Sequence, residues 1–319
     1  RPNLIAPWWG YYSSYYCYDN TALDCSVRYR VMPFEGKGTD VDADITQDTS
    51  WDLVDSPIRI NPSGDYLSVN ANLNIEPGVV VQVAQGKGIS FDGACDTLTV
   101  TGNDTDGDNN HVRFEGQFGQ TWTGMAFTNS CTATDGTNDR HQLSYVDFAN
   151  TTDYTIAAGS RHGSSPSSNA NVGNFTMDHV TFTNVAGAVA HGSGQGTVFD
   201  ISDFEVNDAS ESCFLFPEDA VVTLTDGEMD GCNSDNSNQH GAISDKTSTT
   251  GSSSGAVGGS LTVENVVISD SEANLIRSFA ENIYISNVSA TSSTTEARYA
   301  LRLLGSGGSG THSAVINNF

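Results

Sequence analysis

The chain has 319 residues, 37% of them hydrophobic, with 39 acidic against 13 basic side chains and a formal net charge of −26. That charge argues against a nucleic-acid partner, which needs a basic patch. No apolar run reaches the about 18 residues of a membrane span, and the low apolar content suits a thin core that each structural unit lines with few residues.

Aspartate outnumbers glutamate by 28 to 11, and only Lys37, Lys87 and Lys246 are lysines. Screening at high ionic strength removes the self-repulsion of such a surface, so a marine or halophilic setting is expected. The chain starts at Arg1 without Met, which is the expectation for a processed, secreted product.

Residues 1–44 are expected to form an N-terminal arm or cap. The first twenty, "RPNLIAPWWGYYSSYYCYDN", are dense in aromatic side chains and follow no repeat. So much aromatic surface is rarely left in water. Trp8, Trp9, Tyr11, Tyr12, Tyr15 and Tyr16 therefore read as a plug for the end of a solenoid, as an arm that docks on a second copy, or as a sugar-stacking platform. At the end of this region "DVDAD" alternates Asp40, Asp42 and Asp44, a minor candidate metal site.

Residues 45–304 read as one parallel β-helix. The stretch "NDTDGDNNH" (103–111) places Asp104, Asp106 and Asp108 at alternate positions around Gly107. Alternating oxygens on a tight loop suit a hard cation, so Ca²⁺ is the one candidate cofactor, and none is required. A solvated acidic turn is the plain alternative for both aspartate runs.

Further along, "HQLSYVDFAN" (141–150), "FTMDHVTFTN" (175–184), "FDISDFEVND" (199–208), "VTLTDGEMDG" (222–231), "LTVENVVISD" (261–270) and "IYISNVSATS" (283–292) share a pattern. Apolar and polar residues alternate, lose phase at one position, then alternate again. The starts are 34, 24, 23, 39 and 22 residues apart, and periodicity of this kind points to a solenoid. Strands place alternate side chains on opposite faces. One residue in a left-handed conformation turns a corner and restarts the alternation, and Asn and Asp tolerate it best after Gly. Asp203, Asp226, Asn265 and Asn287 occupy the corner, with His179 and Tyr145 as weaker members. Coils of about 22–24 residues leave room for three short strands at roughly 3.3 Å per residue. The inward row then includes Phe175, Met177, Val180, Phe182, Phe199, Ile201, Phe204, Val206, Leu261, Val263, Val266 and Ile268.

The long intervals contain "AAGSRHGSSPSSNANVG" (157–173) and "SDKTSTTGSSSGAVGGS" (244–260). Because the pattern resumes in phase after each, they read as loop insertions on the stack rather than interdomain linkers. Residues 305–319 form a Gly/Ser tether and a strand, "HSAVINNF". That strand either adds to another subunit's edge or completes the chain's own last coil.

Six cysteines, no CxxC and no starting Met point to disulfides in an oxidising, extracellular setting. Spacing favours Cys17–Cys25, Cys95–Cys131 and Cys213–Cys232 among 15 possible pairings. Sequons at Asn103, Asn150, Asn174 and Asn287 make glycosylation a candidate, although a composition this rich in Asn, Ser and Thr also produces sequons by chance.

Residues 45–127 carry a resemblance. "LSVNANLNIEPGVVVQVAQGKGISFDG" is followed by "HVRFEG" and "WTGMAF". This resembles the opening of secreted right-handed parallel β-helix proteins of the pectin-lyase-like superfamily. It is especially similar to large surface proteins of archaea and marine bacteria. The family's strand, turn and strand fall here on Leu73, Ile75, Pro77, Gly78, Val79 and Val81, on Gly86, Gly88 and Ile89, and on Trp122, Gly124 and Met125. The resemblance implies the fold strongly and the function weakly, because this solenoid hosts lyases, hydrolases, adhesins and structural proteins.

The catalytic signatures of the related enzymes have only faint echoes here. "RHG" (161–163), "AHGSG" (190–194) and "QHG" (239–241) stand where a Gly-His-Gly would be sought, no Arg-x-Lys follows, and Arg28–Arg30 lies outside the repeats. His162, His191 and His240 read as corner or loop histidines, and Asp226 with Asp230 as corner chemistry rather than the spaced carboxylate pair of a glycosidase. No P-loop, Rossmann fingerprint, Gly-x-Ser-x-Gly or His-Glu-x-x-His occurs. The expectation is therefore a non-enzymatic, extracellular structural subunit of a cell surface or filament, which partners itself through its terminal segments. The alternative is a carbohydrate-binding or carbohydrate-cleaving β-helix, with adhesion a related third option.

Overall fold

A computed structural model of the chain describes residues 38–93, 96–104, 110–128, 140–159, 173–191, 197–217, 220–232, 241–246, 259–271, 274–278, 280–291, 299–303 and 313–319. Extended segments dominate, as the alternating pattern dictates. The early rungs contain β1 (Thr39–Val41), β2 (Thr49–Trp51), β3 (Ile58–Ile60), β4 (Tyr66–Val69), β5 (Leu73–Ile75) and β6 (Val80–Val83). They continue through β7 (Gly88–Phe91), β8 (Leu98–Thr101), β9 (Val112–Gly116) and β10 (Gly124–Phe127). Long bent strands then alternate with short ones: β11 (Arg140–Ala149), β12 (Tyr154–Ala158), β13 (Asn174–Val185), β14 (Gly187–His191), β15 (Val198–Ala209), β16 (Phe214–Pro217), β17 (Val221–Asp230) and β18 (Gly241–Lys246). The last rungs hold β19 (Ser260–Ser269), β20 (Asn274–Ser278), β21 (Asn282–Ser286), β22 (Ser289–Ala290), β23 (Leu301–Leu303) and β24 (Ser313–Asn317).

Every pairing between these strands is parallel, and the stack is a three-faced β-helix. One face runs through β2, β5, β8, the first halves of the bent strands, β21 and β24. The second runs through β1, β3, β6, β9, the second halves of the bent strands and β22. The third is the separate nine-stranded sheet from β4 to β23. Strand β1 brings Thr39–Val41, inside the segment expected to be an arm, into the stack. Strand β24 lies on β21 of its own chain, so the terminal strand completes the chain's own coil.

The corners are where the sequence pattern loses phase. Tyr145, His179, Asp203, Asp226, Asn265 and Asn287 have φ between 48° and 55°, and Asn318 continues the column at 56°. Side-chain amides lock successive corners together. Asn265 Nδ2 donates to Asp226 Oδ1 at 2.9 Å, Asn287 Nδ2 to Asn265 Oδ1 at 3.0 Å, and Asn318 Nδ2 to Asn287 Oδ1 at 3.0 Å. A second corner column lies five residues further along each bent strand, at Asn150, Asn184, Asp208, Gly231 and Asp270, with φ between 50° and 70°.

Register follows the repeat. His141 pairs with Phe175, Phe175 with Phe199, Phe199 with Val222, Val222 with Leu261, and Leu261 with Ile283. The stack therefore continues in register across both Gly/Ser-rich insertions. The expected inward row, from Phe175 to Ile268, is at most 3% exposed throughout. Its rings form columns: Phe114, Phe148 and Phe182 stack with centroids 5.2 Å apart, and Phe175 stacks on Phe199 at 5.0 Å. His141 stands in the second column, buried, with Nδ1 accepting from the Leu98 N–H at 3.2 Å. At Gly227 a Cβ would run into the Phe204 ring, so the glycine leaves room for the phenyl group of the rung before it. Tyr154 lies over Gly187 in the same manner. Burial, joined by the negative charge of Glu211, pushes the Tyr154 phenol well above the usual tyrosine range.

The corner ladder makes an ordered prediction. Asn287→Gly loses the two amide contacts and should cost about 1 kcal/mol, since an intramolecular hydrogen bond contributes roughly 0.5–1.5 kcal/mol net. Asn287→Ala should cost about 1 kcal/mol more, because a Cβ without a polar group is disfavoured in the left-handed region. Urea unfolding of the three proteins measures the order; Ala at or above Gly would contradict it.

Candidate functional site

The corner geometry decides which side chains meet outside the helix. In an unbroken strand, neighbours point to opposite faces. At the corner of β13, Asp178 and His179 instead both reach the outer surface, while Val180 returns to the core at 1% exposure. Stacking sets the next rung in place: Asp178 pairs with Ser202 and Val180 with Phe204, so Asp203 lies over His179.

The result is a compact cluster. His179 Nδ1 lies 3.0 Å from Asp178 Oδ2 and 4.0 Å from Asp203 Oδ2. Ser202 Oγ donates to the other oxygen of Asp178 at 3.0 Å, which fixes that carboxylate's orientation. The imidazole stacks on Tyr145 of the rung before, with centroids 4.3 Å apart and planes 21° from parallel. Below Tyr145 comes His111, whose Nδ1 is 3.0 Å from Asp147 Oδ1.

Beside this column runs an open groove of about 400 Å³, lined by His111, His179, Asp203, Glu205, Asp226 and Glu228 among others, with no Lys or Arg among its described lining residues. Outward positions of the second face supply the glutamates, because Thr181, Glu205, Glu228 and Val267 stack in register. The groove is thus a row of carboxylates and imidazoles on a rigid sheet, suited to cations and to hydrogen-bonding polar ligands.

The sequence-derived candidates fare differently. Asp40 pairs with Arg59 at 3.3 Å, and Asp44 accepts from the Ser68 N–H at 3.2 Å. Asp40, Asp42 and Asp44 do not converge: among the described residues, the one group of three whose ligand atoms all approach within 4.8 Å is Asp178, His179 and Asp203. Asp104 is exposed at the foot of its loop, which is closed by backbone bonds between Asn103 and Asn110; Asp106 and Asp108 lie outside the described residues.

Cys213 and Cys232 form a disulfide, with Cα atoms 5.4 Å apart and both residues buried. Cys17, Cys25, Cys95 and Cys131 lie outside the described residues, as do Trp8, Trp9, Tyr11, Tyr12, Tyr15, Tyr16, His162 and His240. Of the sequons, Asn287 is exposed on the corner ladder and Asn103 and Asn150 are half-buried. Asn174 is 8% exposed and its Oδ1 accepts from the Val198 N–H, so a glycan there would have to displace that contact.

Sequence reasoning treated His179 and Asp203 as conformational residues and missed their proximity. The signal was present: their spacing of 24 residues is one rung. Set against known proteins, the chain matches no family model, no curated protein and no solved structure.

The disulfide closes a 19-residue separation, for which chain entropy corresponds to about 3 kcal/mol. The double variant Cys213→Ala/Cys232→Ala should lose stability on that order in urea unfolding. A non-reducing peptide map should join the two cysteines; free thiols at both positions would contradict the assignment.

Proposed function

We propose that this chain is an extracellular structural protein of the pectin-lyase-like β-helix type, a cell-surface or filament-forming subunit that assembles with other copies of itself. The observation that carries the proposal is the uninterrupted stack. From β1 to β24 the strands stack in parallel around a continuous core, and the corners of the later rungs are joined by side-chain amides. Such a scaffold transmits shape along its axis. Strand β24, at the edge of the described sheet, is exposed along its length, with Val315 at 49% and Ile316 at 43%. An edge of this kind is a template for pairing with another chain.

Two further features favour the extracellular reading. The Cys213–Cys232 bridge fits an oxidising compartment. The net charge of −26 on a surface short of lysine fits a saline medium. In this reading the acidic 103–111 loop takes Ca²⁺, and the aromatic segment of residues 1–20 makes the second contact of the assembly.

A second reading, carbohydrate binding or cleavage, has one observation in its favour: the groove lined by His111 and His179 offers carboxylates, imidazoles and the Asn265 amide to sugar hydroxyls. Adhesion through a bound glycan would use the same surface.

Sedimentation velocity discriminates the readings. The full chain should form concentration-dependent polymers, which are lost on removal of residues 1–20 or in Ile316→Lys. A monodisperse monomer at every concentration, with release of reducing or unsaturated ends from an acidic polysaccharide, would overturn the structural reading in favour of the enzyme.

A further inference from the structure

We propose that Asp178, His179 and Asp203 bind a divalent transition-metal ion, for which Zn²⁺ is the probe. The site does not depend on the assembly reading above. Its origin is the corner itself. A left-handed residue at position 179, with φ 53°, sets two neighbouring side chains on one surface, and the left-handed Asp203, with φ 48°, brings a third from the rung above. The three ligand atoms, Asp178 Oδ2, His179 Nδ1 and Asp203 Oδ2, all lie within 4.8 Å of one another.

The spacing suits a small ion. A tetrahedral ion with bonds of about 2.0–2.2 Å holds its ligand atoms roughly 3.4 Å apart. The two separations from Nδ1, 3.0 and 4.0 Å, bracket that value, and the two carboxylate oxygens lie within 4.8 Å of each other. His179 and Asp203 also line the open groove, which gives water or a further ligand access to the site.

The supporting contacts are those that orient metal ligands elsewhere. Ser202 Oγ occupies Asp178 Oδ1 and leaves Oδ2 facing the imidazole. The Tyr145 ring holds the imidazole plane. Metal binding uses the Nδ1 lone pair, so a proton on Nδ1 is released on binding and the ring's one N–H in the complex is on Nε2.

The electrostatics call for a cation. Among the described residues, His179 is the sole ion-pair partner of Asp178 and Asp203. The adjoining groove adds Glu205, Asp226 and Glu228, with no lysine or arginine among its described lining residues. The nitrogen donor selects the class: Ca²⁺ and Mg²⁺ take oxygen ligands, whereas imidazole with carboxylates suits zinc and its first-row neighbours.

Metal-free full-length protein, its free thiols alkylated, is titrated with ZnCl₂ by calorimetry, and Co²⁺ absorption reads the ligand field. His179→Asn is the first variant, because Asn is at home in the left-handed corner; Asp203→Asn is the second. Each should weaken Zn²⁺ binding about tenfold or more while Glu228→Gln in the same groove changes it by less than about twofold, the contrast expected between a ligand and a bystander. Circular dichroism checks that the variants remain folded. Unchanged Zn²⁺ affinity in folded His179→Asn overturns the proposal. So does displacement of Zn²⁺ by equimolar Ca²⁺, which would mark diffuse attraction to an acidic surface.

Discussion

The structure depends on one backbone constraint: a corner residue in the left-handed region, at the same place in each of the rungs from β11 to β21. That conformation is disfavoured for most side chains. In the later rungs the cost is offset by hydrogen bonds between stacked corners, from Asp226 through Asn265 and Asn287 to Asn318. The corner converts a flat strand into two faces of a triangle, and the third sheet closes it. Once the corners are fixed, register leaves little choice, since a one-residue slip would send Phe182 and Phe204 to solvent.

The same constraint generates the outer surface. Because the corner interrupts alternation, consecutive side chains such as Asp178 and His179 emerge together, and stacking multiplies them by rung. Aspartate serves twice. At Asp203 and Asp226 it tolerates the left-handed backbone, and it also lines the groove with negative charge. Structural and chemical roles therefore coincide in the same column, which is why a metal site can arise without any departure from the repeat.

Much of the fold was legible in the sequence because the phase break is periodic. The first corner column was identified from Tyr145 to Asn287, and the five sequence intervals reappear as inter-strand register from His141 to Ile283. The second corner column escaped notice. Its mark, an Asn, Asp or Gly five residues after the first corner, is hidden in a composition already rich in those residues. His141 also escaped, since an imidazole inside an aromatic column looks polar in sequence. The early rungs from β1 to β10 lack the bent-strand pattern: the acidic 103–111 insertion separates β8 from β9 at the corner position. They were readable through a resemblance rather than by period. The site was the least legible part, because the proximity of His179 and Asp203 is a property of stacking and not of local sequence.

The most direct test of the stacked-rung account is a distance along its axis. Gln142, Thr176, Asp200, Thr223, Thr262 and Tyr284 follow one another in register on one outer column. Spin labels at Gln142 and Tyr284 are therefore separated by five inter-strand steps of about 4.8 Å, roughly 24 Å in all. Double electron–electron resonance should return one narrow distribution near that distance, broadened by the label arms. A broad distribution, or a maximum displaced by more than about two further rungs, would contradict the parallel stack.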